Sequence, residues 1–412
     1  MDRTILLIGT MDTKEAELLF CRELIQRKGF KVLLLDAGIL NDPRTSPDIT
    51  RQEVARAGGM ADLESLLALG DKGKCMETMI HGVTAKTQEL LRQKAFDGIL
   101  GIGGGQGTDI CASAMRSVPR GMPKLLVSTI ASGKATFGPY VGTRDITIMH
   151  SIADLQGLNF LIRRILANAV GGICGMVETL QDVETQPRGI PVARSLLGTT
   201  TPGALRVKAI LERRGYEVVA FHQNGTGGIA MEEMIREGAF RGVLDLNLHE
   251  IGDRFVGGLH SDPRRERLEA AGEQGIPQVI APGSINYAVW GPSPSLSTEL
   301  KTRKHIIHNP NMTLVRLSPD ELRSVGILTA EKINRAKGPT HVFIPLRGFS
   351  YPDREHLPHW EPEGNLAFIE ALKAHLHPSI PLKELDAHIN DADFVDPVAD
   401  AFLSMMEKYL NR

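Results

Sequence analysis

The 412-residue sequence has no excess of charge: 47 Lys and Arg stand against 49 Asp and Glu, for a net charge of −2. Phosphate backbones are bound by a basic face, so this balance gives no reason to expect a nucleic-acid partner. Cysteine is scarce. Cys21, Cys75, Cys111 and Cys174 never form a CxxC pair, which argues against a zinc knuckle or disulfide framework and reads as reduced core thiols of a cytoplasmic protein. No apolar run reaches the roughly 20 residues of a membrane span; residues 165–177 come nearest. The N-terminus lacks the pattern of a signal peptide. Motifs that name a reaction are missing too. There is no HExxH, no nucleophile elbow, and no GxGxxG in the first turn. A Walker A loop fails because Gly133-Lys134 precedes Ala135 and Ser128 stands where its first glycine belongs.

What the sequence does have is an echo of itself. Leu6-Leu7-Ile8-Gly9-Thr10 matches Ser195-Leu196-Leu197-Gly198-Thr199, and Arg27-Lys28-Gly29-Phe30 matches Arg213-Arg214-Gly215-Tyr216. Phe96-Asp97-Gly98-Ile99-Leu100 matches Phe240-Arg241-Gly242-Val243-Leu244, and Gly121-Met122-Pro123 matches Gly275-Ile276-Pro277. Four matches in one order predict two related domains, 1–183 and 191–412, joined by a polar linker over 184–190, with a ligand cleft between them.

Short aliphatic runs at 5–8, 32–35, 99–102 and 125–127 read as strands buried on both faces of a parallel sheet. Residues 196–197, 218–221, 243–246, 279–281, 342–345 and 382–385 repeat the plan. Helical spacing of Leu18, Leu19, Leu24 and Ile25 lies between strands, and Thr50-x-x-Glu53 reads as a capping box. The class is α/β twice over, Rossmann- or flavodoxin-like. Residues 350–363, rich in Pro and His, read as a surface excursion.

Ligands of such sheets bind beyond the carboxyl ends of the strands. After the run 99–102 come Gly103, Gly104, Gly105, Gln106, Gly107 and Thr108, then a helical pattern. Glycines turn backbone N–H groups toward a ligand, and the helix N-terminus adds partial positive charge, so the loop suits a phosphate. The plainer alternative is a tight turn needing positive φ. Gly9, Thr10, Asp12, Thr13 and Lys14 open the first helix, where hydroxyls and a lysine also suit phosphate, while Asp12 could serve only as an N-cap. Asp36 ends the second strand and could bind a ribose hydroxyl or cap a turn. Ser128, Thr129, Ser132 and Lys134 follow the fourth strand, with Arg144 close behind.

The second half differs where the first carries its glycine loop. Asp245, Asn247, His249 and Glu250 replace glycines with side chains able to bind a cation or move protons. His222 precedes a second glycine-rich turn, and His388 and Asp391 follow the last strand. Each histidine alone could be structural, and the group could merely hydrogen-bond the packing; convergence on one sheet edge makes Asp245, His249, Glu250 and His388 the catalytic candidates.

Taken together, these segments resemble a known family. They are Gly9-Thr10-x-Asp12-Thr13-Lys14, Gly101-x-Gly103-Gly104-x-x-Gly107-Thr108, Val127-Ser128-Thr129-x-Ala131-Ser132-Gly133, His222-x-x-Gly225-Thr226-Gly227-Gly228, Pro345-Leu346-Arg347-Gly348 and Asp386-Ala387-His388-Ile389-Asn390-Asp391. The family is that of the ATP-binding inhibitory domain of the tomato mosaic virus resistance protein and its uncharacterised bacterial relatives. The resemblance spans essentially the whole chain. It implies two α/β domains, ATP in the N-terminal one, and dimerisation; it does not imply antiviral activity, since most relatives are bacterial and their role is unassigned. Three functions fit: an ATP-dependent enzyme (with Mg2+ as a possible ion) acting on a small-molecule substrate in the cleft, a non-catalytic ATP-controlled module that binds a protein, or an NAD-dependent oxidoreductase.

Overall fold

The computed structural model describes residues 3–131, 138–260 and 267–411. The chain divides into two compact units, Met1–Thr185 and Gln186–Arg412. The N-terminal unit contains β1 (Thr4–Gly9), β2 (Lys31–Asp36), β3 (Gly98–Gly103), β4 (Lys124–Ser128) and β5 (Thr147–His150), all parallel in the order β2-β1-β3-β4-β5. Strand β1 shows why the aliphatic run was needed. Ile5 and Leu7 enter one core under the helices Met11–Arg27 and Phe160–Gln181, while Leu6 and Ile8 enter another under Lys72–Arg92 and Gly105–Ser117. Alternating side chains therefore bury on both faces, each contributing about 1.5–3 kcal/mol. Thr50 and Glu53 form the expected capping box.

The C-terminal unit holds β6 (Ile190–Leu196), β7 (Tyr216–His222), β8 (Gly242–Asp245), β9 (Gln278–Ile280), β10 (Tyr287–Trp290), β11 (His305–Asn309), β12 (Met312–Arg316), β13 (Thr340–Pro345) and β14 (Leu382–Leu385). Its parallel sheet runs β7-β6-β8-β9-β13-β14. Counted within the parallel sheet, that is the strand order of the N-terminal sheet with one strand added. The duplication is thus a property of the fold as well as of the sequence.

The differences are informative. An antiparallel sheet, β10-β12-β11, is inserted between β9 and β13 and had no counterpart in the sequence reading. The segment 350–363 is not simply a surface excursion, since Ser350, Asp353 and His359 are fully buried. Ile190, placed in the linker by its polar surroundings, opens β6.

Candidate functional site

Three helices begin at one cavity of about 200 Å³ at the carboxyl edge of the N-terminal sheet. Thr10, Asp12, Thr13 and Lys14 line it from the first turn after β1, and Gly104, Gly105, Gln106 and Gly107 line it from the turn after β3. Lys72, the first residue of Lys72–Arg92, and Met76 one turn later complete it with Ala37, Ile39 and Leu40. Helix N-termini carry partial positive charge, and three of them with two lysines favour an anion.

The glycine loop has no backbone need for most of its glycines. None of residues 103–107 has positive φ, which sets the tight-turn alternative aside. Gly103 is required by packing, because a Cβ there would lie 2.3 Å from the carbonyl carbon of Gly107 and 2.4 Å from the amide of Thr108. A Cβ on Gly105 would meet nothing within 4 Å, and on Gly104 only Thr129 Oγ1 at 3.9 Å. Gly104 caps the helix without a side chain. Thr108 donates its amide to Gly104 O, while the amides of Gly105, Gln106 and Gly107 meet no acceptor among the described residues. The loop leaves its donors facing open space.

Other residues assigned to the nucleotide are engaged in structural contacts. Asp36 is fully buried, and its Oδ1 accepts the amides of Met11 and Gly38, each at 2.8 Å. It ties β2 to the first turn, and its Oδ2 is buried without a hydrogen-bond partner among the described residues. Burial pushes its carboxyl up, against the pull of those two amides. Asp12 Oδ2 accepts the amides of Ile39 and Leu40 at 2.8 Å, so it braces the cavity wall that it also lines. Thr108 and Ser128 are buried and share a 2.7 Å hydrogen bond, joining β4 to the helix Gly105–Ser117. Gly9 is buried because a Cβ would strike the Leu18 side chain at 2.8 Å. Ser132 and Lys134 lie outside the described residues.

In the C-terminal unit the catalytic candidates are engaged with a residue the sequence reading passed over. Arg267 is buried and donates Nε to Glu250 Oε2 at 2.8 Å, Nη1 to Glu232 Oε1 at 2.7 Å and Nη2 to Asp245 Oδ1 at 3.2 Å. Burial alone would lower its pKa, but Asp245, Glu250 and Glu232 together push it up. The glycine turn after β7 serves the same cluster. Gly225 and Gly228 donate their amides to Glu250 Oε1 at 2.8 and 3.3 Å, and a Cβ on Gly228 would sit 1.8 Å from Glu250 Oε2. Glu232 likewise accepts the amides of Leu268 and Ala270, each at 2.6 Å. These two sets of amides are filled by the chain's own carboxylates. Asp245 and Glu250, expected to move protons at a strand edge, are therefore fixed members of a buried ion network.

The histidines are also internal. His249 is fully buried, and its Nδ1 lies 3.2 Å from the Ser284 carbonyl. A carbonyl only accepts, so Nδ1 carries the proton and Nε2 presents a lone pair, 3.6 Å from Asp253 Oδ1. Burial, then the neighbouring His260, lowers His249 to about 3, and burial raises Asp253 to about 7. His388 uses both nitrogens, Nε2 toward the Ser350 carbonyl at 3.0 Å and Nδ1 accepting the Asn390 amide at 3.2 Å. Among the described residues no three His, Cys, Asp or Glu are arranged to hold a metal ion. Motif reasoning missed two cations, Lys72 on the cavity and Arg267 in the ion network. Neither belongs to a recognisable pattern, and only the fold brings them to these places.

The chain matches the models of the uncharacterised protein family UPF0261, its N-terminal domain over residues 3–182 and its C-terminal domain over 190–406. The protein belongs to the UPF0261 family. A UPF0261 protein of Clostridium tetani is 38% identical over 99% of this chain and 100% of its own length. The ToMV resistance protein Tm-1(GCR237) of Solanum lycopersicum is 33% identical over 85% of this chain and 46% of its own length. Among solved structures, MurG of Acinetobacter baumannii aligns over 98% of this chain and all of its own, at 10% identity and a TM-score of 0.24; likeness at that level has no bearing on activity. The sequence resemblance to the tomato protein's family is thereby made explicit for the UPF0261 chain.

Proposed function

We propose that this UPF0261 protein is a nucleotide-binding protein whose N-terminal unit grips the phosphates of ATP. The observation that carries the reading is the contrast between the two units. In the C-terminal one, backbone amides at glycine turns and helix ends already hold Glu250 and Glu232. In the N-terminal one, the amides at Gly105, Gln106 and Gly107, which follow β3, hold no such carboxylate among the described residues, and these residues line a cavity with Lys14 and Lys72. A cavity of about 200 Å³ is smaller than the ~300–1,000 Å³ of whole-ligand pockets. It suits a chain of phosphates, with the nucleoside lying toward its mouth. Mg2+ would arrive with those phosphates and find Asp12 as the carboxylate lining the cavity.

The engagement of Asp245 and Glu250 by Arg267 favours the non-catalytic version of this reading, an ATP-controlled module that recognises a partner. An ATP-dependent enzyme with a small-molecule substrate would need acid–base groups other than these. Cytoplasmic location and dimerisation belong to the same proposal. Titration calorimetry with ATP tests it. Lys14→Ala and Lys72→Ala should each weaken binding about 10-fold, as loss of one charge-assisted phosphate contact predicts. Unchanged affinity in both folded variants would place the nucleotide elsewhere.

A further inference from the structure

Resting on that nucleotide reading, we infer that the site takes nucleoside polyphosphates with little regard to the base. A base is read by hydrogen-bond donors and acceptors matched to its edge, and a site built that way rejects the wrong partner by orders of magnitude. Beside the phosphate loop, the wall next to β2 consists of Ala37, Ile39, Leu40 and Met76. These side chains offer aliphatic surface and a thioether, which pack on any base and distinguish none strongly.

The amide donors along the same wall are already spent. The amides of Ile39 and Leu40 both donate to Asp12 Oδ2, and that of Gly38 donates to Asp36 Oδ1. Two carboxylates thus consume three consecutive backbone donors. Asp36, the residue placed to read a sugar, is buried beneath them. Among the described residues, Thr10, Thr13, Lys14, Lys72 and the loop amides on the cavity suit phosphate oxygens, and beside them stand only the carboxylate of Asp12 and the side-chain amide of Gln106. Recognition is concentrated on the phosphate chain.

The test is competition calorimetry on the full chain with ATP, GTP, CTP, UTP and inorganic tripolyphosphate. The four nucleotides should bind within about 3-fold of one another, and tripolyphosphate should displace ATP. Met76→Ala should weaken all four nucleotides by a common factor while leaving tripolyphosphate unchanged. ATP binding 10-fold or more above the other three, with tripolyphosphate still competing, would overturn the inference and leave the phosphate site standing. Failure of tripolyphosphate and every nucleotide to bind would overturn the site itself.

Discussion

Arg267 Nε donates to Glu250 Oε2 at 2.8 Å, directly behind the amides of Gly225 and Gly228 that hold the other oxygen. One guanidinium thereby neutralises part of a buried group of three carboxylates. Replacing it with methionine leaves Glu250, Asp245 and Glu232 buried without their cation. Arg267→Met should lower stability by about 3–5 kcal/mol, the range for breaking a buried pair from one side. Urea unfolding followed by circular dichroism measures this. A loss below about 1 kcal/mol would mean that the network behaves like a solvated surface pair.

The glycines separate in the same way. A Cβ on Gly228 would lie 1.8 Å from Glu250 Oε2 and 2.2 Å from Arg267 Nε, whereas one on Gly105 meets nothing within 4 Å. Gly228→Ala should therefore cost more than about 2 kcal/mol through disruption of the buried network. Gly105→Ala should leave the melting temperature unchanged or slightly higher, because alanine is the better helix former by up to ~1 kcal/mol. Equal melting temperatures for the two variants would contradict the assignment of one glycine to packing and the other to open space.

Acid should destabilise the C-terminal unit. Burial lowers His249 to about 3 and His359 to about 4, from an ordinary 6.5. Between those values the unfolded chain binds more protons than the folded one, so stability is lost as pH falls from 6.5 toward 4. Asp253, raised by burial from 3.8 to about 7, acts in the opposite sense over nearly the same window and offsets one histidine. The balance of these three groups is a slope of about one proton, or roughly 1.4 kcal/mol per pH unit. His359→Asn should flatten it in denaturant titrations from pH 6.5 to 4.5. A variant with the wild-type slope would show that His359 is not held neutral.

Asp36 gives a ligand-side prediction. Its Oδ1 holds the amides of Met11 and Gly38 and its Oδ2 is buried, so the carboxylate is assigned to the fold and not to a ribose hydroxyl. Deoxy-ATP should bind within about 3-fold of ATP, well under the ~1.4 kcal/mol of a tenfold change. A tenfold or greater preference for ATP would return a ribose contact to the site.

Much of the fold was legible because parallel strands buried on both faces must be aliphatic throughout, as at β1 and β3, and because the two halves repeat in order. Strand β5 and the sheet β10-β12-β11 were not. Thr147-Ile148-Met149-His150 and His305-Ile306-Ile307-His308-Asn309 are short and part polar, so their pairing depends on neighbours that periodicity does not reveal. The glycine loop and first turn were legible as a cavity rim, since Gly and Thr at strand ends have few other reasons to cluster. The histidines and acids of the second half misled for a physical reason. A polar residue at a strand end can face solvent or be buried against a partner, and Arg267, 22 residues beyond Asp245, decided the matter. Lys72 was invisible because a lysine opening a helix is ordinary until the helix is placed.

The central claim is that the loop amides at Gly105, Gln106 and Gly107 bind phosphate, and the sharpest measurement is calorimetric titration of ATP into Gly105→Ala and Gly105→Glu side by side. Both variants should fold, since a Cβ at this position meets nothing within 4 Å. Gly105→Ala should retain ATP affinity within about 3-fold, while Gly105→Glu, which carries a carboxylate to the helix N-terminus, should weaken it by at least ~2 kcal/mol. Undiminished ATP binding by folded Gly105→Glu would contradict the account.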